Sequence, residues 1–220
     1  LGHAVSSRWF GLLATSVACL LVFQMQNYEN LFSSYASIDH FQIVLLTTTC
    51  LFLLSRGTTW QAVAAGFFAA LAVFTLAHGV AVLVAGAWLL FAQQRRLAFR
   101  LWLGFSVAIA VVFLWRLGAT YVGGPSFHGL AGLRALIAYW LTMLGGIVSL
   151  GNTTVAFYAG LALVLGFGAL LAFRRSRLDL FLGAIALNSF LACALIAYGR
   201  VNLINVPPLS SRNMVQSAII

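Results

Sequence analysis

The sequence predicts an all-α protein, a polytopic transmembrane bundle of about seven spanning helices, the number that fits into its apolar stretches. The first observation is composition: 63% of the 220 residues are hydrophobic and 7% are charged, against about 25% charged in an ordinary soluble domain. The second is a mean hydropathy of +1.04. The third is that long uncharged stretches separate the charges, so polar groups cannot cover a surface in water. These observations exclude a water-soluble globular protein and predict a single domain over residues 1–220.

The charge of the chain is one-sided. All 12 basic residues are Arg, and with three acids the formal net charge is +9. The Arg residues stand in small groups at the ends of apolar stretches, which is typical of membrane orientation. Nucleic-acid-binding proteins instead gather basic residues on one solvated face. We therefore expect membrane lipid as a partner and no nucleic acid, while the sequence does not identify any protein partner.

The uncharged gaps define the spans, because about 20 apolar residues cross a bilayer core as a helix. Residues 9–23 form the core of the first predicted span, and residues 40–55 form the second. The alternative for the first stretch is a signal peptide with Arg8 as its charged region. The later predicted spans, after the stretch discussed next, are 101–117, 153–173 and 179–198.

The stretch 60–92 is too long for one span, since a single helix there would measure roughly 50 Å. A polar ring and a helix-weakening glycine interrupt it at 77–79, so we expect two short helices with a break at that point. Small residues at Ala62, Gly66 and Ala70 are spaced four apart, which predicts close approach of a neighbouring backbone. The same use is predicted for three further glycines, namely Gly160, Gly166 and Gly168.

Arginine groups predict the orientation. The groups at 95–100 and 174–177 are both expected on the cytoplasmic side, which requires an even number of crossings between them. Because three apolar segments lie between them, we interpret 131–149, which contains Arg134 and a double glycine, as re-entrant or interfacial. Five segments are then extracytoplasmic: 24–38, 77–79, 118–130, 150–152 and 199–213.

Four polar residues in these outer segments are candidates for a site. Glu29 and Asn30 stand together and could hydrogen-bond a sugar or a neighbouring Arg, although a solvated loop is the alternative. His78 lies in the predicted break, where a polar group must line a cavity or find a partner. His128 lies in a loop rich in glycine. For both histidines a purely structural role is the competing interpretation.

Two outer arginines form the strongest candidate group. Arg200 and Arg212 flank a Pro-Pro pair and could hold a phosphate through their planar, forked donors. Alternatively, they anchor helix ends at lipid headgroups. No His pair or Cys/His cluster has the spacing of metal ligands, so no metal site and no cofactor are predicted from these residues.

A family resemblance rests on four short motifs. They are Glu29-Asn30-Leu31-Phe32, Phe41-Gln42, Gly199-Arg200 and Ser211-Arg212. They resemble a pattern in large bacterial polytopic proteins similar to membrane glycosyltransferases of the GT-C type, which take a sugar from a polyprenyl-phosphate donor. The resemblance implies a bacterial plasma (inner) membrane protein that catalyses inverting transfer at the extracytoplasmic face. In that role Arg200 and Arg212 would stabilise the departing lipid phosphate, and Glu29 would act as base or contact a divalent cation.

The chain departs from the pattern in two ways. The segment between the Glu-Asn and Phe-Gln pairs is longer, and Asn213 stands where an aromatic residue usually follows the Ser-Arg pair. GT-C proteins also place a catalytic acid in their first extracytoplasmic loop, so the resemblance predicts that this chain is part of a longer protein.

Two other function classes remain open. A non-enzymatic membrane subunit or scaffold fits the lack of a carboxylate pair in the sequence. A transporter fits the broken stretch 60–92 and the re-entrant segment 131–149, which are features of transporter binding sites. No charged residue lies in the middle of a predicted span, which argues against the transporter.

Overall fold

The computed structural model describes residues 34–118, 129–149, 152–173 and 177–200. This part of the chain is helical without any strand, as the sequence predicts. Its seven α-helices are α1 (Ser34–Arg56), α2 (Thr59–Thr75), α3 (Ala81–Ala92), α4 (Arg96–Gly118), α5 (Gly129–Leu144), α6 (Thr153–Phe173) and α7 (Arg177–Arg200).

Local capping explains the sharp turn between α1 and α2. Gly57 has a φ of +97°, a left-handed conformation that glycine adopts readily after the end of a helix. Thr58 and Gln61 then form a capping box in which each side chain accepts a hydrogen bond from the other residue's backbone N–H. α2 therefore begins three residues after α1 ends.

The predicted break within 60–92 is confirmed. α2 ends at Thr75, a 3-10 turn covers Ala77–Val80, and α3 follows directly. Gly79 in this turn is buried, and a Cβ there would lie 2.2 Å from the carbonyl oxygen of Ala72. The turn thus closes against the end of α2, which only glycine permits.

The backbone approach predicted at Ala62, Gly66 and Ala70 of α2 is wrong. The fully buried alanines of this helix are Ala65, Ala69 and Ala72, and Gly66 is also buried. Gly66 meets an aromatic side chain instead of a backbone, since a Cβ on it would lie 3.0 Å from the ring of Phe105. The reason is that α2 is apolar all round, so its sequence does not indicate which side is buried. The flanking Ala62 and Ala70 are only half-buried.

Close helix approach occurs instead between α5 and α6. A Cβ on Gly145 would lie 1.9 Å from the carbonyl oxygen of Ala156, and one on Gly160 would lie 1.9 Å from that of Leu141. The prediction for Gly160 is confirmed. For Gly166 and Gly168 no described residue lies within 4 Å of an added Cβ, so close packing there remains a prediction.

Two hydrophobic clusters share α7. The first joins α1 to α4 with the N-terminal half of α7, and the second joins α5 and α6 with its C-terminal half. In the second cluster the Phe167 and Phe190 rings meet edge to face at 4.9 Å, and Trp140 Nε1 donates a hydrogen bond to the Phe190 carbonyl at 3.0 Å. α7 is therefore the element that connects the two halves of the bundle.

Two helical segments are long and apolar enough to cross a membrane, Arg96–Trp115 in α4 and Asp179–Gly199 in α7. Apolar segments in the other helices are shorter. The number of about seven spans, which follows from the apolar stretches of the sequence, therefore remains a prediction. The predicted span 9–23 lies outside the described residues. Segment 131–149 forms α5 and a 3-10 turn over Gly146–Val148, and its path relative to a membrane remains a prediction as well.

Candidate functional site

Arginines from separate parts of the chain meet at one end of the bundle. The guanidinium of Arg95 donates hydrogen bonds to the carbonyl of Leu54, at 3.1 Å, and to that of Gly57. Phe52 of α1 contacts Phe181, one turn after the start of α7. The same end, here called the Arg end, therefore includes Arg56, Arg95, Arg96, Arg100 and the first residue of α7, Arg177.

Among the described residues, the Arg end brings the 95–100 group together with Arg177, as the sequence predicts, while Arg174 and Arg175 lie outside the described residues. The 3-10 turn with His78 lies at the opposite end, because α3 leads from this turn to Arg95. α7 starts at the Arg end and contacts that turn, so its last residue, Arg200, lies towards the His78 end.

A groove of about 580 Å³ opens at the Arg end between α2 and α4. Its α2 side consists of Ala62, Val63 and Gly66, which are small or short side chains. The opposite side consists mainly of Leu97, Leu101 and Phe105, spaced four apart and so on one face of α4. Arg95 and Arg96 also line the groove, beside the first turn of α4. The site therefore combines apolar walls with two cationic groups.

Trp102 fixes the position of α4 beside the groove. Its indole is buried, and Nε1 donates a hydrogen bond to the carbonyl of Leu83 at 2.9 Å. Gly86 makes room for the ring, since a Cβ there would lie 2.7 Å from it. Because the indole N–H has a partner in the apolar interior, this contact positions α4 against α3.

The two arginines of the groove differ in burial and in hydrogen bonding. Arg95 is half-buried and held by two carbonyls, yet a guanidinium has five N–H donors, so part of its donor capacity remains. Arg96 is exposed. Together they place one held and one exposed positive charge at the start of a helix, where the helix dipole also favours anions.

The residues predicted as a site are only partly described. His78 is half-buried in the turn between α2 and α3, as the predicted break requires. Arg200 is the last residue of α7. Glu29, Asn30, His128 and Arg212 lie outside the described residues, so the grouping proposed from the sequence remains a prediction. No group of three metal-ligating side chains occurs among the residues that the structure describes.

A buried polar pair in the middle of α7 was not predicted from the sequence. Asn188 and Ser189 are 7% and 1% exposed. Within the described part of the chain, Asn188 Oδ1 and Ser189 Oγ have no hydrogen-bond partner. Two adjacent polar residues inside an apolar span were the available signal, since unsatisfied polar atoms are costly in such surroundings.

Comparisons with protein-family models, curated proteins and solved structures return no match for this chain. Chemically, the α2–α4 groove can bind a molecule with an anionic group and an apolar part, because its cations and its hydrocarbon walls adjoin.

Proposed function

We propose that the protein is an integral membrane protein of the bacterial plasma membrane, a polytopic bundle with its Arg end in the cytoplasm. The observation that supports this most directly is the surface of α4. Of the 18 most apolar consecutive residues of α4, only 11% are buried. Leu97, Val107 and Trp115 are 73%, 61% and 79% exposed. Monomeric soluble proteins rarely expose contiguous apolar patches of this kind, whereas a lipid-facing helix requires one.

Arginine placement supports the orientation. Arg56, Arg96 and Arg100 are exposed at the Arg end, and cytoplasmic ends of membrane helices are enriched in Lys and Arg. Arg56 also lies over the Phe52 ring, 4.7 Å from its centroid, so its charge is held near the end of α1.

Membrane integration and orientation can be tested on the full chain expressed in bacteria. Alkaline carbonate should leave the protein in the membrane fraction. In a Cys19→Ser background, cysteine replacing exposed Ala77 should react with an impermeant maleimide in intact spheroplasts, and Arg100→Cys should react only after lysis. Release by carbonate would contradict membrane integration, and labelling of both positions from one side would contradict the orientation.

As the finer function, we propose that the protein, or the longer protein it belongs to, transfers a sugar from a polyprenyl-phosphate donor at the extracytoplasmic face. The support is the motif resemblance, together with the position of Arg200 towards the end that holds the His78 turn. Arginine at this place suits a departing phosphate because its planar donors bind two oxygens at once.

Substitution of the outer arginines separates the enzyme from a non-enzymatic subunit. In membranes supplied with labelled polyprenyl-phosphate sugar, Arg200→Gln and Arg212→Gln should each lower transfer at least tenfold. Arg134→Gln is the matched control, an exposed Arg on α5 outside the proposed donor site. Transfer unchanged in both variants would favour the scaffold, and solute uptake by proteoliposomes would favour a transporter.

A further inference from the structure

We propose that the α2–α4 groove at the Arg end binds one anionic phospholipid, with its phosphate at Arg95 and Arg96 and one acyl chain along the apolar walls. The inference rests on the proposed membrane location of this end. It is independent of sugar transfer, which is placed at the opposite end.

The charged part of the groove suits a phosphate. Arg95 is already oriented by the carbonyls of Leu54 and Gly57, so less side-chain entropy is lost when its remaining donors bind an anion. Arg96 is exposed beside it and can close over the bound group. The first turn of α4 adds the positive end of the helix dipole. Phosphate oxygens would thus meet guanidinium groups and a helix N-terminus together.

The apolar part of the groove requires hydrocarbon. Between Leu97 and Phe105 its α4 wall extends about 12 Å along the helix axis. Val63 on one wall and Leu101 on the other are 58% and 61% exposed, so the groove is open sideways to the surroundings of the bundle. A free phosphate would bind the arginines but leave the apolar walls of the groove without a hydrocarbon partner. A phospholipid satisfies both parts, because it can enter from the bilayer with its headgroup at the arginines.

The competing explanation is diffuse attraction of anionic lipid to a positively charged end. Arg100 provides the control, since it is exposed one turn after Arg96 on the same helix but does not line the groove. Diffuse attraction depends on both charges about equally, whereas the groove depends on Arg96.

The experiment is native mass spectrometry of the full chain released from neutral detergent containing dioleoyl phosphatidylglycerol or dioleoyl phosphatidylcholine. We expect one tightly retained phosphatidylglycerol and much weaker retention of phosphatidylcholine. Arg96→Gln should weaken phosphatidylglycerol binding roughly tenfold or more, the usual effect of losing a hydrogen bond between charged groups. Arg100→Gln should leave it within twofold of wild type. Millimolar inorganic phosphate should not displace the lipid.

A second variant tests the walls. Ala62→Leu fills the groove and should also weaken retention, with circular dichroism and thermal unfolding as checks that the bundle is folded. Equal losses in Arg96→Gln and Arg100→Gln, no preference for the anionic lipid, or a folded Ala62→Leu protein with wild-type retention would each overturn the site. If the protein resists carbonate extraction, these outcomes overturn the lipid site without contradicting membrane integration. Failure of the lipid site and failure of the membrane proposal are therefore distinguishable.

Discussion

At the residue scale, Arg95 links the connection between α3 and α4 to the turn between α1 and α2. Its bonds to the carbonyls of Leu54 and Gly57 satisfy the end of α1, so Arg95→Gln should lower the free energy of unfolding by about 1–2 kcal/mol. Thermal unfolding in detergent measures this loss, with Arg96→Gln as the control because Arg96 is exposed. Equal melting temperatures for the two variants would show that the bridge contributes nothing to stability.

Two buried serines test how much a hydrogen-bond partner for a buried hydroxyl contributes to stability. Ser149 Oγ donates a hydrogen bond to the Gly146 carbonyl at 2.8 Å, whereas Ser189 Oγ has no partner among the described residues. Removing an unsatisfied buried hydroxyl relieves a desolvation penalty, so Ser189→Ala should stabilise the protein by about 1 kcal/mol. Ser149→Ala should destabilise it by a similar amount. Destabilisation by both changes, seen in melting curves, would mean that Ser189 has a partner in the folded protein.

At the element scale, two glycines of α6 allow a position in close helix contact to be compared with one that has no close neighbour among the described residues. A Cβ on Gly160 would lie 1.9 Å from the Leu141 carbonyl oxygen, so Gly160→Ala should force α5 and α6 apart and cost more than about 3 kcal/mol. Gly166→Ala, in the same helix but with no described residue within 4 Å of the added Cβ, should gain about 0.5–1 kcal/mol from helix propensity. Melting temperature and gel-filtration profile measure both changes. A Gly160→Ala protein with wild-type stability would contradict the close approach.

Helix ends were more predictable than helix faces. The break at 77–79 could be predicted because glycine and a polar ring interrupt an apolar stretch, and charge groups indicated which ends lie together. The face of α2 could not be predicted, since a helix that is apolar all round lacks an amphipathic period. The groove depends on how α2 and α4 are placed, which no local pattern encodes. Only its arginines and the spacing of Leu97, Leu101 and Phe105 were visible in the sequence.

At the scale of the whole molecule, α7 belongs to both hydrophobic clusters, which predicts that they unfold together. Ala184 lies in the first cluster and Phe190 in the second, less than two turns further along the same helix. A change that displaces α7 from one cluster must therefore disturb the other. Phe190→Ala removes a ring packed on Phe167 and should destabilise the protein by about 3–5 kcal/mol.

Native thiols can report on this coupling. Cys50 is buried in the first cluster and Cys193 in the second, so each becomes reactive only when its own cluster opens. In a Cys19→Ser background, a thiol-reactive dye followed by peptide mapping should show both thiols reacting over the same temperature range. Phe190→Ala should shift both ranges downward by the same amount, because both clusters depend on α7. A shift at Cys193 with Cys50 unchanged would instead show that the two halves of the bundle unfold independently.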